Sequence, residues 1–428
     1  MSFRLLVFFI LQLFQLLIYK AHGQTGADIN YDEAKVQAYN LPDPLVLPDG
    51  KRITLATEWM QKQRPHLLQL FAENVYGKMP GRPNNESFEV RSVDSFALNG
   101  KAIRKQVRIF FSTADTNASL DVLLYLPKKQ TGKVPVFMGL NFAGNQTIAS
   151  DTGIFLSNRW VADDAEYKSV NNRATEASRG IQARRWPVEE LVSQGYGMAT
   201  AYYGDLEPDY PEGWKTGIRS SLQTSLQIKP EEWSAIGAWA WGLSRMMDYL
   251  ESEPAINKKQ VIITGHSRLG KAALWAAAND MRFAMVVSNE SGEGGAALAR
   301  RWYGETIERI NTAFPHWFVP AFKKYNNHPE LLPVDQHMLL ALIAPRPLYV
   351  ASAAEDQWAD PKGEFLSAKN AQPVYALLGH KNVGLTEMPP VDTPVGTIVR
   401  YHMRSGKHDM LPYDWAQYIK FANAYFKK

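Results

Sequence analysis

The stretch that decides the fold is residues 261–278, V-I-I-T-G-H-S-R-L-G-K-A-A-L-W-A-A-A. A β-branched apolar run stops at Gly265, and an alanine-rich helical pattern begins after Ser267. Such a strand-turn-helix segment pushes a serine hydroxyl out of the sheet and points the first helical amides toward a developing negative charge. The pattern predicts a nucleophile elbow and hence a serine hydrolase. The usual G-x-S-x-G motif is incomplete, because Leu269 stands two residues after the serine and the next glycine is Gly270.

Composition and charge narrow the class of protein. The 428 residues are 45% hydrophobic and 12% aromatic, which is enough to bury a large core. The 47 basic and 43 acidic side chains are interleaved, with a net charge of +4, a balance that is not typical of nucleic-acid-binding proteins. Residues 291–295, S-G-E-G-G, lack the Lys-Ser/Thr sequel of a phosphate loop and the full dinucleotide fingerprint. We therefore expect a monomer with no nucleic-acid partner, no cofactor and no metal.

Residues 1–23 have the pattern of an export signal. Arg4 supplies the positive charge, residues 5–18 are mostly apolar, and residues 21–23, A-H-G, match a small-x-small cleavage site. A signal anchor is the alternative, although the apolar stretch is shorter than the roughly 20 residues of a spanning helix. The chain contains no cysteine, so no disulfide frame is expected. The mature chain, residues 24–428, is predicted to be periplasmic or secreted from a bacterium, without membrane contact.

Strand and helix patterns alternate along residues 24–428, which we interpret as one domain. Near-continuously apolar runs are typical of parallel strands covered on both faces. Strands are predicted at residues 134–142, 197–203, 260–267, 283–289, 346–354 and 398–403, after a β edge at 106–111 and 120–126. Helices are predicted at residues 58–76, 231–250 and 412–426. The alternation predicts a doubly wound three-layer α-β-α sandwich with its site at the carboxyl ends of the strands.

Residues 149–194 form a polar insertion between two of the predicted strands and are too long for an ordinary connection. The insertion contains tryptophan and several arginines, among them Arg173, Arg179, Arg184 and Arg185. Two interpretations stay open. The insertion forms a lid or wall of the substrate cleft, or it forms a solvated peripheral helix pair whose arginines face water.

A serine nucleophile needs a histidine base. His408 lies in R-S-G-K-H-D-M, a polar turn between the last predicted strand and the last helix, where the α/β-hydrolase order of serine, acid and histidine places the base. His380 is the rival, because it also follows both candidate acids. His266, beside the serine, points to the wrong side of the turn and is interpreted as a packing residue. His66 and His316 lie in aromatic surroundings and are also interpreted as packed.

Two carboxylates compete to orient that base. Glu290 follows the strand after the nucleophile, and Asp356 follows the next strand, in the usual α/β-hydrolase acid position. Either carboxylate could instead cap a loop through backbone amides. We expect the two to share the role.

Several segments together resemble the glucuronoyl esterases, carbohydrate esterase family 15. They are G-H-S-R-L-G-K at 265–271, N-E-S-G-E-G-G at 289–295, W-F at 317–318, A-P-R-P at 344–347 and G-K-H-D at 406–409. The family signature is G-C/H-S-R-x-G-K, so the missing glycine two residues after Ser267 becomes a match. The resemblance covers nearly the whole mature chain. It implies an α/β-hydrolase that cleaves the ester between 4-O-methyl-glucuronic acid side groups of xylan and lignin alcohols.

The resemblance also implies roles for single residues. Ser267 matches the family nucleophile, Glu290 the acid and His408 the base. Arg268 matches an arginine at the oxyanion site, where an always-charged guanidinium would stabilise the tetrahedral intermediate. Relatives with a cysteine before the serine can bridge it to another cysteine, so this chain must hold its base loop by other means.

A sugar subsite is implied as well. Lys271, Glu305 and Trp358 fall where similar enzymes contact the sugar hydroxyls and ring face. Some relatives also have a glutamine there, for which the nearest candidate in this chain is Asn311. The expected partners are glucuronoxylan and lignin-carbohydrate esters.

Other functions remain as alternatives at this point. Within the same class, the chain could be an acetyl xylan esterase, a broad carboxylesterase or a serine peptidase. From a different class, it could be a non-catalytic carbohydrate-binding protein on a hydrolase scaffold. The intact serine, histidine and two spare carboxylates argue against loss of activity.

Overall fold

A ten-stranded mixed sheet organises the chain. The computed structural model describes residues 29–427, so the predicted export signal at residues 1–23 lies outside the described residues. The strand order is β1-β2-β3-β5-β4-β6-β7-β8-β10-β9. The strands are β1 Ser87–Phe96, β2 Ala102–Phe110, β3 Ser119–Pro127, β4 Val134–Asn141, β5 Gly197–Tyr202, β6 Ile256–His266, β7 Met285–Asn289, β8 Leu348–Ala353, β9 Val395–Gly396 and β10 Val399–Arg404. β5, β4, β6, β7, β8 and β10 pair in parallel, whereas β1, β2, β3 and β9 add antiparallel edges.

Both faces of the central strands are covered. Along β6, Val261 and Ile263 belong to one apolar cluster and Ile262 belongs to the other, as the two-residue period of a strand requires. The first cluster includes residues of helices Ala235–Ser252, Arg268–Asn279, Gln336–Ala341, Pro361–Asn370 and Gln372–Leu377. The second cluster includes residues of helices Val188–Ser193 and Pro412–Phe426. The predicted three-layer α-β-α architecture is therefore confirmed.

The remaining helices are short, and several of them, such as Arg64–Phe71, also contribute residues to the first cluster. They are Ala56–Glu58, Arg64–Phe71, Ala97–Gly100, Ile218–Ser221, Gln223–Leu226 and Ile307–Ala313, with π turns at Trp59–Gln63 and Ala72–Tyr76. The helix predicted at 58–76 is thus a chain of α and π turns. No helix within residues 29–427 is long and apolar enough to span a membrane.

Two details differ from the sequence prediction. The long helix predicted from residue 231 begins only at Ala235, because the extended Ser234 accepts a hydrogen bond from the Gly237 amide through its side chain and caps the first turn. The two-residue strand β9 and the long strand β1 were not predicted. A bulge between Val90 and Ser92 shifts the register of β1, so its apolar residues do not keep one alternating phase.

The four predicted triad positions lie at one edge of the sheet. Ser267 follows β6, Glu290 follows β7, Asp356 comes after β8, and His408 comes after β10. These strands are parallel neighbours, so their carboxyl ends meet. The topology alone brings the four residues to a common site.

Candidate active site

Ser267 occupies a strained turn. Its φ of 57° and ψ of −130° lie outside the usual regions for a side-chain-bearing residue, as expected at a nucleophile elbow. A Cβ on Gly265 would lie 2.1 Å from the Leu269 carbonyl oxygen. A Cβ on Gly270 would lie 2.9 Å from the Ser291 Cβ. The close approaches therefore require glycine at positions 265 and 270, whereas Leu269 packs in the core, which explains the altered motif.

His408 lies against both candidate acids. Its Nδ1 atom is 2.6 Å from Asp356 Oδ2 and 3.2 Å from Glu290 Oε2. Both carboxylates are buried, while 42% of the His408 side chain is exposed. An Nδ1–H proton donated toward these oxygens leaves Nε2 as the free, basic nitrogen. Within the described residues no hydrogen bond joins Ser267 Oγ to His408, a contact that often tightens only when substrate binds.

The charges and the burial at this site shift the pKa values of His408 and Glu290. Burial lowers the pKa of His408, but its hydrogen bonds to Asp356 and Glu290 and their charges outweigh that effect and raise it to about 9. Burial raises the pKa of Glu290 to about 8, against the opposing effects of His408 and Arg404. The two carboxylates therefore favour the protonated, imidazolium form of His408.

A buried arginine holds the loop that carries His408. The Arg404 guanidinium contacts Glu290 Oε1 at 2.7 Å and Asp414 Oδ2 at 2.9 Å. It also donates to the carbonyls of Ser405, Lys407 and Asp409. The base loop, residues 405–409, is therefore tied to β10, to the acid after β7 and to the final helix without any disulfide. Sequence reasoning missed Arg404, whose only signal was a charged residue directly after the predicted strand 398–403.

The insertion also contacts the base loop. Arg185 Nε lies 2.6 Å from Asp409 Oδ1, and Arg184 Nη1 lies 2.5 Å from Asp409 Oδ2. Its ordered segments are short 3-10 turns, Glu176–Ser178 and Ala183–Arg185, followed by the helix Val188–Ser193. The helix pair of the second interpretation does not form, because Val188–Ser193 is the single α-helix described within 149–194, although Arg173 and Arg184 are exposed. The contacts to Asp409 favour a wall beside His408.

The other two histidines near the predicted triad in sequence, His266 and His380, lie in different surroundings. His266 is buried, its Nδ1 lies 2.6 Å from Asn289 Oδ1, and its ring centroid is 4.5 Å from that of His408. His266 is a packing residue, as predicted, but its ring packs against the ring of His408, the candidate base. His380 packs near Tyr375, whose hydroxyl donates to the Arg346 carbonyl just before β8 begins. His380 therefore lies toward the amino end of β8, away from Ser267.

Arg268 begins the helix after the elbow. Its guanidinium lies 5.4 Å from the Phe142 ring centroid and 5.2 Å from that of Trp317. Nη1 contacts Asp209 Oδ2 at 2.7 Å, and 28% of the side chain stays exposed. The guanidinium of the residue that follows the nucleophile is thus fixed and partly accessible. Asp209 was not predicted, although it follows β5 at the same edge of the sheet.

Lys271, Glu305 and Trp358 come together. Burial raises the pKa of Glu305, while the nearby Lys271 charge and a hydrogen bond from Trp358 oppose the rise. The Glu305 amide donates to the Trp358 carbonyl at 2.9 Å. Lys271 is buried and donates to the Ser291 carbonyl at 2.5 Å, so an ordinary surface ion pair with Glu305 does not describe it. Trp358 is 38% exposed, which leaves a ring face available for stacking.

Asn311, the fourth residue predicted for the sugar subsite, hydrogen-bonds to another part of the protein. It lies in the helix Ile307–Ala313, is buried, and donates through Nδ2 to Asn326 Oδ1 at 2.8 Å. Its amide nitrogen is thus engaged within the protein. A sugar contact from Asn311 stays a prediction.

Backbone amides in and beside residues 291–295 donate to side chains of the protein, so this segment is not a free anion-binding loop. The Gly292 amide donates to Glu364 Oε1, and the Ala296 amide donates to Ser291 Oγ.

Only one group within residues 29–427, Glu290, Asp356 and His408, brings three potential metal-ligand atoms within 4.8 Å of one another. Arg404 already balances one of these carboxylates. The donor set therefore fits a histidine held by two acids.

Fold and site together define a serine hydrolase of the α/β-hydrolase class. Residues 225–379 match the family model described as "Glucuronyl esterase, fungi". The carbohydrate esterase MZ0003, from an unknown prokaryotic organism, is 48% identical over 396 residues, 92% of this chain and 91% of that protein. Two solved structures are similar with a TM-score of 0.86 and cover 92% of this chain. A promiscuous CE15 esterase from a marine bacterial metagenome is 47% identical over 99% of its chain, and the glucuronoyl esterase from Solibacter usitatus is 50% identical over 100%.

The chain therefore belongs to the glucuronoyl esterases of carbohydrate esterase family 15. Members of this family are carboxylic ester hydrolases, so the chain is an enzyme and the non-catalytic carbohydrate-binding alternative is not favoured.

Proposed function

We propose that the enzyme hydrolyses the ester between 4-O-methyl-glucuronic acid groups of xylan and lignin alcohols, with Ser267 as nucleophile, His408 as base and both Glu290 and Asp356 as orienting acids. The observation that carries this proposal is the placement of His408 Nδ1 at 2.6 Å and 3.2 Å from two buried carboxylates, at the sheet edge that carries the Ser267 elbow. When the imidazolium of His408 loses one proton, the two carboxylates hold the remaining proton on Nδ1. Nε2 is then unprotonated and basic.

The chemical steps follow from these positions. The Ser267 hydroxyl loses its proton to His408 Nε2 as Oγ bonds to the ester carbonyl carbon, and the carbonyl electron pair becomes an oxyanion. The Arg268 guanidinium and the amide groups that open its helix stabilise this charge. His408 then returns the proton to the leaving alcohol oxygen as the carbon–oxygen bond breaks. Water attacks the acyl-enzyme with His408 again as base, which releases the uronic acid and restores Ser267.

A uronate ester matches the charges beside the nucleophile. The substrate is neutral as an ester and becomes an anion only after hydrolysis, so a cationic oxyanion site binds the charge that the reaction creates. Lys271 donates hydrogen bonds and an ionised Glu305 accepts them, which suits neighbouring sugar hydroxyls. The exposed face of Trp358 suits stacking on a sugar ring.

The test compares a sugar ester with an ester that has no sugar. Lys271→Ala, Glu305→Ala and Trp358→Ala should each lower kcat/KM for benzyl glucuronate by a factor equivalent to about 1–3 kcal/mol. The first two leave a buried polar group unpaired, and the third removes the ring that would stack on the sugar. Hydrolysis of nitrophenyl acetate should stay near wild type. Acetate release from acetylated xylan is measured in parallel as the alternative activity. Equal losses on both simple esters, or none, would remove these three residues from a sugar subsite.

We also propose that residues 1–23 direct export and that the mature enzyme is a monomer. The pattern at 21–23 supports cleavage before Gln24. Amino-terminal sequencing of the protein recovered outside the cytoplasm should begin near Gln24, and its mass in solution by light scattering should be that of one chain. Recovery of uncleaved protein in the membrane fraction would favour the signal anchor instead.

A further inference from the structure

Asp209 is a buried carboxylate with more partners than a surface ion pair provides. Its Oδ2 accepts from Arg268 Nη1 at 2.7 Å and from the Tyr203 hydroxyl at 3.1 Å. Its Oδ1 accepts from Trp317 Nε1 at 2.7 Å and lies 2.8 Å from His316 Nε2. Only 8% of the side chain is exposed. Four donors from three separate segments therefore fix this carboxylate in one place.

The same contacts restrict the Arg268 guanidinium. Phe142 and Trp317 cover it at 5.4 Å and 5.2 Å, and Asp209 holds Nη1. Nε is buried and has no hydrogen-bond partner within residues 29–427. A long arginine side chain is otherwise flexible, and orientation by a bound carboxylate removes that freedom before substrate arrives. Burial by itself would raise the pKa of Asp209, but Arg268 and His316 lower it overall, so the carboxylate is ionised.

We propose that Asp209 is a positioning residue for the ester hydrolysis, which acts through Arg268 by holding the guanidinium toward the developing oxyanion, with His316 and Trp317 holding Asp209 in turn. The inference rests on the proposed oxyanion role of Arg268. It changes the interpretation of His316, which is packed as predicted but also belongs to this chain of contacts. Because oxyanion stabilisation is stronger in the transition state than in the bound ester, loss of Asp209 should lower kcat and leave KM nearly unchanged.

The main variant is Asp209→Asn, which keeps the shape and removes the charge. Its kcat per titrated active site should fall about 10- to 100-fold, less than the roughly 10²- to 10³-fold caused by loss of an oxyanion donor itself. KM should stay within about twofold, because bound ester carries little charge at this oxygen. The loss should be equal for benzyl glucuronate and nitrophenyl acetate, since both pass through an oxyanion.

A second measurement separates positioning from general damage. A trifluoromethyl ketone bonds to Ser267 Oγ, its carbonyl pair becomes an oxyanion, and the serine proton moves to His408. Its Ki should rise in Asp209→Asn by about the same factor as kcat falls, because a transition-state mimic depends on the same stabilisation. Partial unfolding would lower the amount of active enzyme without changing that Ki.

The matched control is Glu253→Gln. Glu253 is 7% exposed and pairs with Lys105 at 2.8 Å, before the first residue of β6 and thus at the opposite end of that strand from Ser267. This variant should keep wild-type kcat and Ki. If Asp209→Asn does not fold, Trp317→Phe keeps a smaller aromatic ring beside Arg268 and removes the indole N–H that donates to Asp209. It should lower kcat about 3- to 10-fold with unchanged KM, less than Asp209→Asn does, because the Asp209 charge and its other contacts remain.

The outcomes distinguish the two proposals. Wild-type kcat and Ki in Asp209→Asn, or in Trp317→Phe where only that variant folds, would overturn the positioning role. A wild-type enzyme that hydrolyses nitrophenyl acetate but no glucuronate ester would refute the proposed substrate. The role of Asp209 would then still be decided on the acetate.

Discussion

The elbow that carries Ser267 and the loop that carries His408 are held by different kinds of contact. The elbow is built mainly from one continuous segment, where Gly265 permits a close approach to the Leu269 carbonyl and Gly270 leaves room for the Ser291 side chain. The base loop depends on Arg404, which directly precedes it, and on the charged side chains of Glu290 and Arg185, which are distant in sequence. Local sterics therefore place the nucleophile, whereas long-range charge contacts place the base. Substitutions in the two regions should consequently affect activity and stability in different proportions.

The largest effect should come from the reacting groups themselves. Ser267→Ala and His408→Ala should each lower kcat by about 10⁴-fold or more, as loss of a triad member does in other serine hydrolases. Thermal unfolding should separate them. Ser267→Ala should leave Tm nearly unchanged, while His408→Ala should lower Tm because Glu290 and Asp356 then face each other without the histidine. Retention of more than about a hundredth of wild-type turnover in either variant would refute the triad assignment.

The two acids should show a smaller and non-additive effect. Glu290→Ala and Asp356→Ala should each reduce kcat less than His408→Ala, because the remaining carboxylate still lies within 3.2 Å of His408 Nδ1. The double variant should approach the loss of His408. A complete set of single and double variants measured on one ester decides the point. One silent single variant beside one as severe as His408→Ala would assign the role to a single acid.

Arg404→Met tests whether charge contacts place the base. The change leaves Glu290 and Asp414 without their buried cation, so the free energy of unfolding should fall by about 3–5 kcal/mol, and kcat should fall about tenfold or more as the base loop loosens. Arg300→Met is the control. Arg300 is also buried and binds Asp335 together with the carbonyls of Val334 and Leu332.

Both variants are compared by denaturant unfolding and by turnover at a temperature where they remain folded. Arg300→Met should lose comparable stability and keep its kcat. If Arg404→Met lost stability alone, the base loop would be held by its other contacts, such as Arg185 with Asp409.

The smallest effect is a displacement of the pH profile. The pKa of His408 is raised to about 9, so kcat/KM should rise with pH until the base is deprotonated. Asp356→Asn removes one of the charges that favour the imidazolium, so the midpoint of this rise should move to lower pH. The same raised pKa stabilises the fold below about 6.5, and this contribution is lost as pH rises through about 9.

Steady-state rates from pH 5 to 10 measure the midpoint, with Glu253→Gln expected to keep the wild-type profile. A midpoint that stays in place or moves upward in Asp356→Asn would mean that the Asp356 charge does not act on His408.

Much of the fold was predictable because its signals are local. The apolar runs of β4 to β8 and β10 were located within a few residues, since strands covered on both faces are nearly continuously apolar. The final helix Pro412–Phe426 was predicted with its observed bounds. Strand β1 was missed because its bulge breaks the alternation that identifies an exposed edge strand.

The residues of the candidate site also divide into those that the sequence determined and those that only the tertiary structure revealed. A sequence by itself determines Ser267, Arg268 and Lys271 as one contiguous motif, and it orders Glu290, Asp356 and His408 after successive strands, because chain direction and strand order bring such positions to one edge. Tertiary structure decided that both acids reach His408, that Arg404 ties the base loop, and that Asp209 holds Arg268. The physical reason is that a buried charge requires a partner in space, and the chain can supply that partner from any distance along its sequence.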